Sequence, residues 1–230
     1  MFLHIGAGLS ALAVGPWAML ARPKGSAGHR RAGRAYLWTM GGVGTTAALL
    51  LVFRWNPFFF ALTVLSFYLA LSGWRVLRRK RPHADIKQRA SVLDFVAAVL
   101  TIAVGAASFG LWRQGVFGPD AAIVLGTLGF AVIAAVYDLW RFRRPDLLAN
   151  RPALWLVEHI TKICGSYIAL ACAFSGTVFT ALPVAVAQTW PALVGVPLML
   201  FVANGYWRRA NKRPDARRAG QTPLAVETKS

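Results

Sequence analysis

Five ionisable side chains stand inside long apolar runs of this 230-residue chain: Asp94, Asp138, Glu158, His159 and Lys162. An ionised group in hydrocarbon is costly, so it is kept where it faces a partner, a ligand or water inside a helix bundle. Asp94 lies near the start of its run, Asp138 near the end of its run, and Glu158, His159 and Lys162 in the first turns of theirs. At the rise of an α-helix, all of them fall roughly 3 to 12 Å inside one boundary of the hydrocarbon. Arg75 closes a further run, three residues after Ser72, and can reach the same layer. Such a layer suits a proton, metal or substrate site, and it equally suits polar glue between helices; the residue types leave both open.

Glu158 and Lys162 are four apart with the acid first, the order in which they pair on one helix. His159, Lys162, Ser166, Ala169, Ala173 and Thr177 recur at helical spacing and form a small or polar stripe expected to face inward. His29 stands in Gly28-His29-Arg30-Arg31-Ala32-Gly33-Arg34, which reads as a flexible basic loop ahead of the second run. Arg30, Arg31 and Arg34 there suit anionic lipid headgroups or a phosphorylated ligand, or serve only to fix topology. His29 and His159 fall on the same side of the membrane. Two imidazoles from two segments can ligate haem, and histidine with carboxylates can hold iron or zinc, with Asp94 or Asp138 in support. In that reading the two aspartates are ligands or proton acceptors, and Lys162 and Arg75 balance their charge. His4 sits near the opposite face without a second outer histidine, and His83 in Arg81-Pro82-His83 reads as solvated. Cys164 and Cys172 are about 12 Å apart along one helix, too far for a disulfide, and read as packing residues.

The elements that must position these groups are membrane helices. Of all residues 57% are apolar and only 15% charged, which excludes a soluble globular domain. Runs of continuous apolar character cover Phe2–Ala21, Ala35–Phe53, Pro57–Leu77, Ser91–Trp112, Ala121–Trp140, Leu154–Leu182 and Pro191–Trp207. They lack period-two alternation, so an all-α, polytopic bundle of about seven transmembrane helices is expected over residues 1–207, rather than a barrel. The first run has no basic residue before it and a basic cluster after it, the reverse of a secretory signal, and is expected to be kept as a span. Residues 208–230 read as a basic, disordered tail. Small residues four apart (Gly6 and Ser10, Gly41 and Thr45, Ala103 and Ala107, Ala106 and Gly110) are candidate packing seams.

The net charge of +18 would fit a nucleic-acid binder if it lay on a soluble fold, but the arginines and lysines lie in the connections. Twenty-three of the 26 fall after the first, third, fifth and seventh runs; Arg54 and Arg113 lie on the other side and Lys162 within a span. The bias puts the N-terminus outside and the C-terminus in the cytoplasm of a bacterial inner membrane, with the bilayer and its anionic headgroups as partners and no nucleic acid.

His4 with Gly8, Leu12 and Gly15, then His29-Arg30-x-x-Gly33-Arg34-x-Tyr36, Ser66-Phe67-Tyr68, and Glu158-His159-Ile160 before Gly165-Ser166-Tyr167-Ile168-Ala169 resemble a group of uncharacterised bacterial multi-spanning membrane proteins. The likeness runs over most of the first six spans, departing at Cys164 and Cys172, where such proteins carry Met and Thr. It implies a membrane protein with His4, His29 and His159 as signature positions and brings no activity. Three function classes stay open: a protein with a histidine-containing metal, haem or acidic-ligand site near the cytoplasmic face, a carrier or lipid-handling protein, and a structural subunit without cofactor. The charge bias makes a direct prediction. A fluorescent protein fused after Ser230 will mature, and alkaline phosphatase fused after Arg54 will be active; the opposite pair of results reverses the orientation.

Overall fold

A computed structural model describes residues 1–151 and 153–219, with only the backbone for residues 120, 150 and 211–219. The described residues are helical and contain no strand. The helices are α1 (Phe2–Leu20), α2 (Ala27–Phe53), α3 (Pro57–Arg75), α4 (Val92–Arg113), α5 (Ala121–Phe142), the single turn α6 (Leu147–Asn150), α7 (Leu154–Val178) and α8 (Val184–Ala219). Seven of them are long and apolar enough to cross a membrane, so the chain is an integral membrane protein of the expected class.

Local chemistry explains where the boundaries differ from the expected ones. The segment read as a flexible loop, Gly28 to Arg34, forms the first two turns of α2, because Ser26 caps the helix by accepting from the His29 N–H. Gly28 and Gly33 are ordinary helical residues there; among the described residues only Gly25, Gly115 and Gly118 have positive φ. At the start of α4, Ser91 and Asp94 form a capping box, each side chain answering the other's backbone N–H. Helix α7 stops at Val178, short of Leu182, and α8 starts at Val184, seven residues before the expected Pro191. Helix α8 also runs on through Ala219, across the first part of the segment read as a tail; residues 220–230 of that segment lie outside the described residues.

Helix α3 is the hub. It packs against α2, α4, α5 and α7, with the α1–α2 pair on one side, α4–α5 on the other, and α8 laid on α7. It contributes to all four apolar clusters: Ala70 with Ala11, Tyr36, Met40 and Leu170; Phe58 and Leu62 with Ala169 and Cys172; Ala61 with Val124 and Leu128; Tyr68 with Ala98 and Ala135. Alanine is prominent in these contacts because lipid offers no hydrophobic drive for helix association, and close backbone approach supplies the dispersion energy instead.

The true close approaches are not at the expected seams. Gly6, Ser10, Thr45, Ala103, Ala106, Ala107 and Gly110 are exposed on the outside of the bundle. Instead α3 meets α7 at Gly73, where an added Cβ would lie 2.9 Å from Lys162 Cβ and 3.1 Å from Ile163 Cδ1. Gly73→Ala is therefore expected to cost about 1–3 kcal/mol by forcing α3 from α7. Gly41→Ala, with nothing within 4 Å of its new methyl, should not lower stability. Thermal unfolding of both variants in detergent decides it, and equal midpoints would refute the close-contact account.

Candidate functional site

At one end of the bundle, α3, α4, α5 and α7 bring the expected ionisable residues together in three linked centres. In the first, Arg75 grips Asp94 through two bonds, Nε to Oδ1 at 2.9 Å and Nη2 to Oδ2 at 2.7 Å, and also reaches Ser91 Oγ at 2.5 Å. Arg79 adds a third bond to Asp94 Oδ1 at 2.5 Å, and its guanidinium lies 4.5 Å from the Phe142 ring centroid. The second centre is deeper. Asp138 is only 1% exposed and accepts from Tyr68 Oη at 2.7 Å and from Lys162 Nζ. In the third, Glu158 Oε1 accepts from Tyr137 Oη at 2.8 Å and from Arg141 Nε at 3.1 Å, while Arg141 Nη1 donates to the Arg144 carbonyl at 2.8 Å.

The pairing differs from the one read along the helix. Glu158 and Lys162 point to different partners on α5, namely Arg141 and Asp138. Each ion pair thus spans two helices, which gains interhelical order that a pair on one helix would not. The buried stripe of α7 is Glu158, Lys162, Ser166, Ala169, Cys172 and Ser175. It is rotated from the expected one, and Thr177 faces outward while His159 and Ala173 lie at its edge. Four buried cations, Arg75, Arg79, Arg141 and Lys162, stand against the three carboxylates Asp94, Asp138 and Glu158. The layer is close to neutral, as burial in a low dielectric requires.

Between the first two centres lies a cavity of about 10 Å³, walled by Tyr68, Ser72, Arg75, Asp94 and Asp138 among others. It has the size of a single water, and Ser72 Oγ, buried without a protein partner, belongs to its wall. Further along α7, Tyr36 donates to Ser166 Oγ at 2.8 Å, and the Ser166 hydroxyl donates to the Ile163 carbonyl at 2.8 Å, extending the polar seam to α2.

The histidines are placed differently from the acids. His29 Nδ1 is 2.9 Å from the Ala18 carbonyl and His159 Nδ1 is 2.9 Å from the Gly73 carbonyl. A carbonyl only accepts, so both Nδ1 atoms carry the proton, and in the neutral ring each Nε2 keeps a lone pair. Ala18 and Gly73 belong to the last turns of α1 and α3, whose carbonyls lack helix partners, so both imidazoles also cap helix C-termini. In the α1–α2 connection, Lys24 donates to the Met19 carbonyl; burial and the neighbouring Arg22 hold its pKa below the usual lysine value. Arg30 donates to the Gly25 carbonyl at 2.5 Å, and Arg31 and Arg34 are exposed on the first turns of α2. His4 Nδ1 lies 2.9 Å from Thr46 Oγ1 and ties α1 to α2, far from the other histidines in function.

No group of three or more His, Cys, Asp or Glu that could hold a metal ion is present among the described residues. The carboxylates expected to support a metal are engaged by cations instead, which leaves the histidines as the donors with open valence. Comparison with known proteins finds no match to this chain among family models, characterised proteins or solved structures.

Tyr68, Arg79, Tyr137 and Arg141 are the site residues that sequence reading missed. Their signal was present: Tyr68, Ser72 and Arg75 follow 4, 3 spacing on α3 with Arg79 four residues further, just past the turn that ends it, and Tyr137 and Arg141 are four apart on α5. The Asp138–Lys162 pair makes a double-mutant prediction. Asp138→Asn or Lys162→Met alone leaves a buried charge unpaired and is expected to cost about 3–5 kcal/mol, while the double variant recovers at least half of that. Chemical or thermal unfolding in detergent reads the three values, and additive losses would show that the two residues do not act as a pair.

Proposed function

We propose that the chain is a bacterial inner-membrane protein, N-terminus outside, whose His29 and His159 form a metal-binding pair near the cytoplasmic face. The observation that carries the reading is their shared disposition. Both Nδ1 atoms are committed to backbone carbonyls at 2.9 Å, which orients each ring and leaves its Nε2 as a ligand atom. Metal-bound imidazoles are held in this way by a partner on the other nitrogen. The rings come from α2 and α7, and each caps the C-terminal end of a neighbouring helix.

Two imidazoles without a third protein ligand would suit haem iron, whose porphyrin would supply the remaining donors. Zinc or non-haem iron would need further ligands from water or substrate. The ion-paired carboxylate layer then serves as the frame that fixes α7 and α3 beneath His159, rather than as a ligand set.

Metal content and absorption spectra of protein purified gently from its host test this. The expected result is close to one iron per chain with a Soret band, lost in both His29→Ala and His159→Ala and kept in His4→Ala. No metal above background in the wild type, or full retention in either variant, would overturn it.

A further inference from the structure

We propose that the cavity lined by Lys80, Arg81, His83, Leu148, Ala149 and Trp155 is a binding site for a phosphate-bearing anion. Its volume of about 270 Å³ approaches the lower end of small-molecule sites, about 300 Å³. One wall is the α3–α4 connection, which brings three side chains able to carry positive charge within four residues. The other wall is apolar, formed by α6 and the first turn of α7. Lys80 Nζ lies 4.5 Å from the Trp155 ring centroid, a cation–π contact that holds the ammonium at the mouth of an aromatic face.

Among the described residues, no acidic side chain lines this cavity, and its charge has no counter-charge there. Asp85, the nearest acid along the connection, is used within its own turn, accepting from the Lys87 N–H at 2.9 Å and from Gln88 Nε2 at 3.1 Å. Arg75, Arg79 and Arg141 are bound to Asp94 and Glu158, whereas Lys80 and Arg81 make no ion pair among the described residues. The connection itself is ordered: the Arg81 N–H donates to Gln88 Oε1 at 3.0 Å, and the Arg81 carbonyl accepts from the Ala84 and Asp85 N–H groups at 3.1 and 3.0 Å. The cations are thus presented by a fixed turn rather than by a loose strand.

A compact multivalent anion with an apolar or glycerol-like attachment satisfies both walls at once. Trp155 is the second residue of α7, at the level where indole marks the membrane interface, so a lipid phosphate and a soluble phosphate ester can both reach the cavity. The arginines of the α2 start offer no comparable enclosure, since Arg30 turns back onto Gly25.

The full chain in phosphatidylcholine nanodiscs is titrated with short-chain phosphatidylglycerol and, separately, with glycerol phosphate, with binding read by native mass spectrometry. Saturable binding is expected, weakened at least about tenfold in Lys80→Gln/Arg81→Gln. Arg30→Gln/Arg31→Gln removes equal charge from the same end and should change affinity less than about twofold. Lys80→Arg/Arg81→Lys restores binding, and Arg81→Gln alone gives an intermediate loss should the double variant fail to fold. Displacement of the lipid by glycerol phosphate assigns the site to a soluble ester; lipid binding that glycerol phosphate cannot displace assigns it to a headgroup. Equal losses in the two glutamine pairs, or no saturable binding of either probe, would overturn the proposal.

Discussion

A carboxylate that is 1% exposed within a membrane span, a turn from its C-terminal end, survives only with a cation and a further donor in contact, and Asp138 has both in Lys162 and Tyr68. That requirement fixes more than one residue. Tyr68 belongs to α3, Asp138 to α5 and Lys162 to α7, so three helices must reach the same depth for the carboxylate to keep both partners. Sliding any one of them by a helical turn moves it about 5.4 Å and strands a charge in hydrocarbon. Apolar packing in a bilayer has no such preference, because lipid chains replace side-chain contacts at little cost. Register along the membrane normal is therefore set by the ion pairs, and the alanine-rich surfaces around α3 follow it.

The same logic explains what could be read from the chain alone and what could not. The seven spans and the depth of Asp94, Asp138, Glu158 and Lys162 follow from hydropathy, since the bilayer's thickness is a length that sequence must match. Partner choice does not follow, because Glu158 at four residues from Lys162 satisfies a local rule that two α5 partners override. Seams failed for a related reason. Small residues occur on both faces of these helices, and only the placement of Lys162 and Ile163 beside Gly73 shows which of them meet a neighbour. The start of α2 was hidden by composition: glycine and arginine read as a loop until Ser26 supplies the cap that turns them into helix.

Histidine and carboxylate, which sequence reading grouped in one layer, divide the work by chemistry. A carboxylate is an acceptor and draws in arginine and lysine, so its lone pairs are consumed by the frame. An imidazole with Nδ1 tied to a helix-terminal carbonyl still has a second nitrogen to give, and His29 and His159 are held in that state by the ends of α1 and α3. The frame thus places the histidines without using them, since Gly73, whose carbonyl fixes His159, sits on α3 between the frame residues Tyr68 and Arg75.

The excess of basic residues also resolves into unlike parts. Arg75, Arg79 and Arg141 are structural cations, paired inside the bundle with Asp94 and Glu158, so most of their charge is cancelled there. Lys80 and Arg81 follow directly in sequence, yet they lie past the point where α3 tightens into the turn Val76–Arg78, which carries them off the carboxylate layer and onto Trp155. One stretch, Arg75 to Arg81, therefore neutralises buried acid at its start and presents open charge at its end. A single count of arginine and lysine fits both, but only the uncancelled half can attract an anion from the surface, and it is this half that borders an apolar cavity.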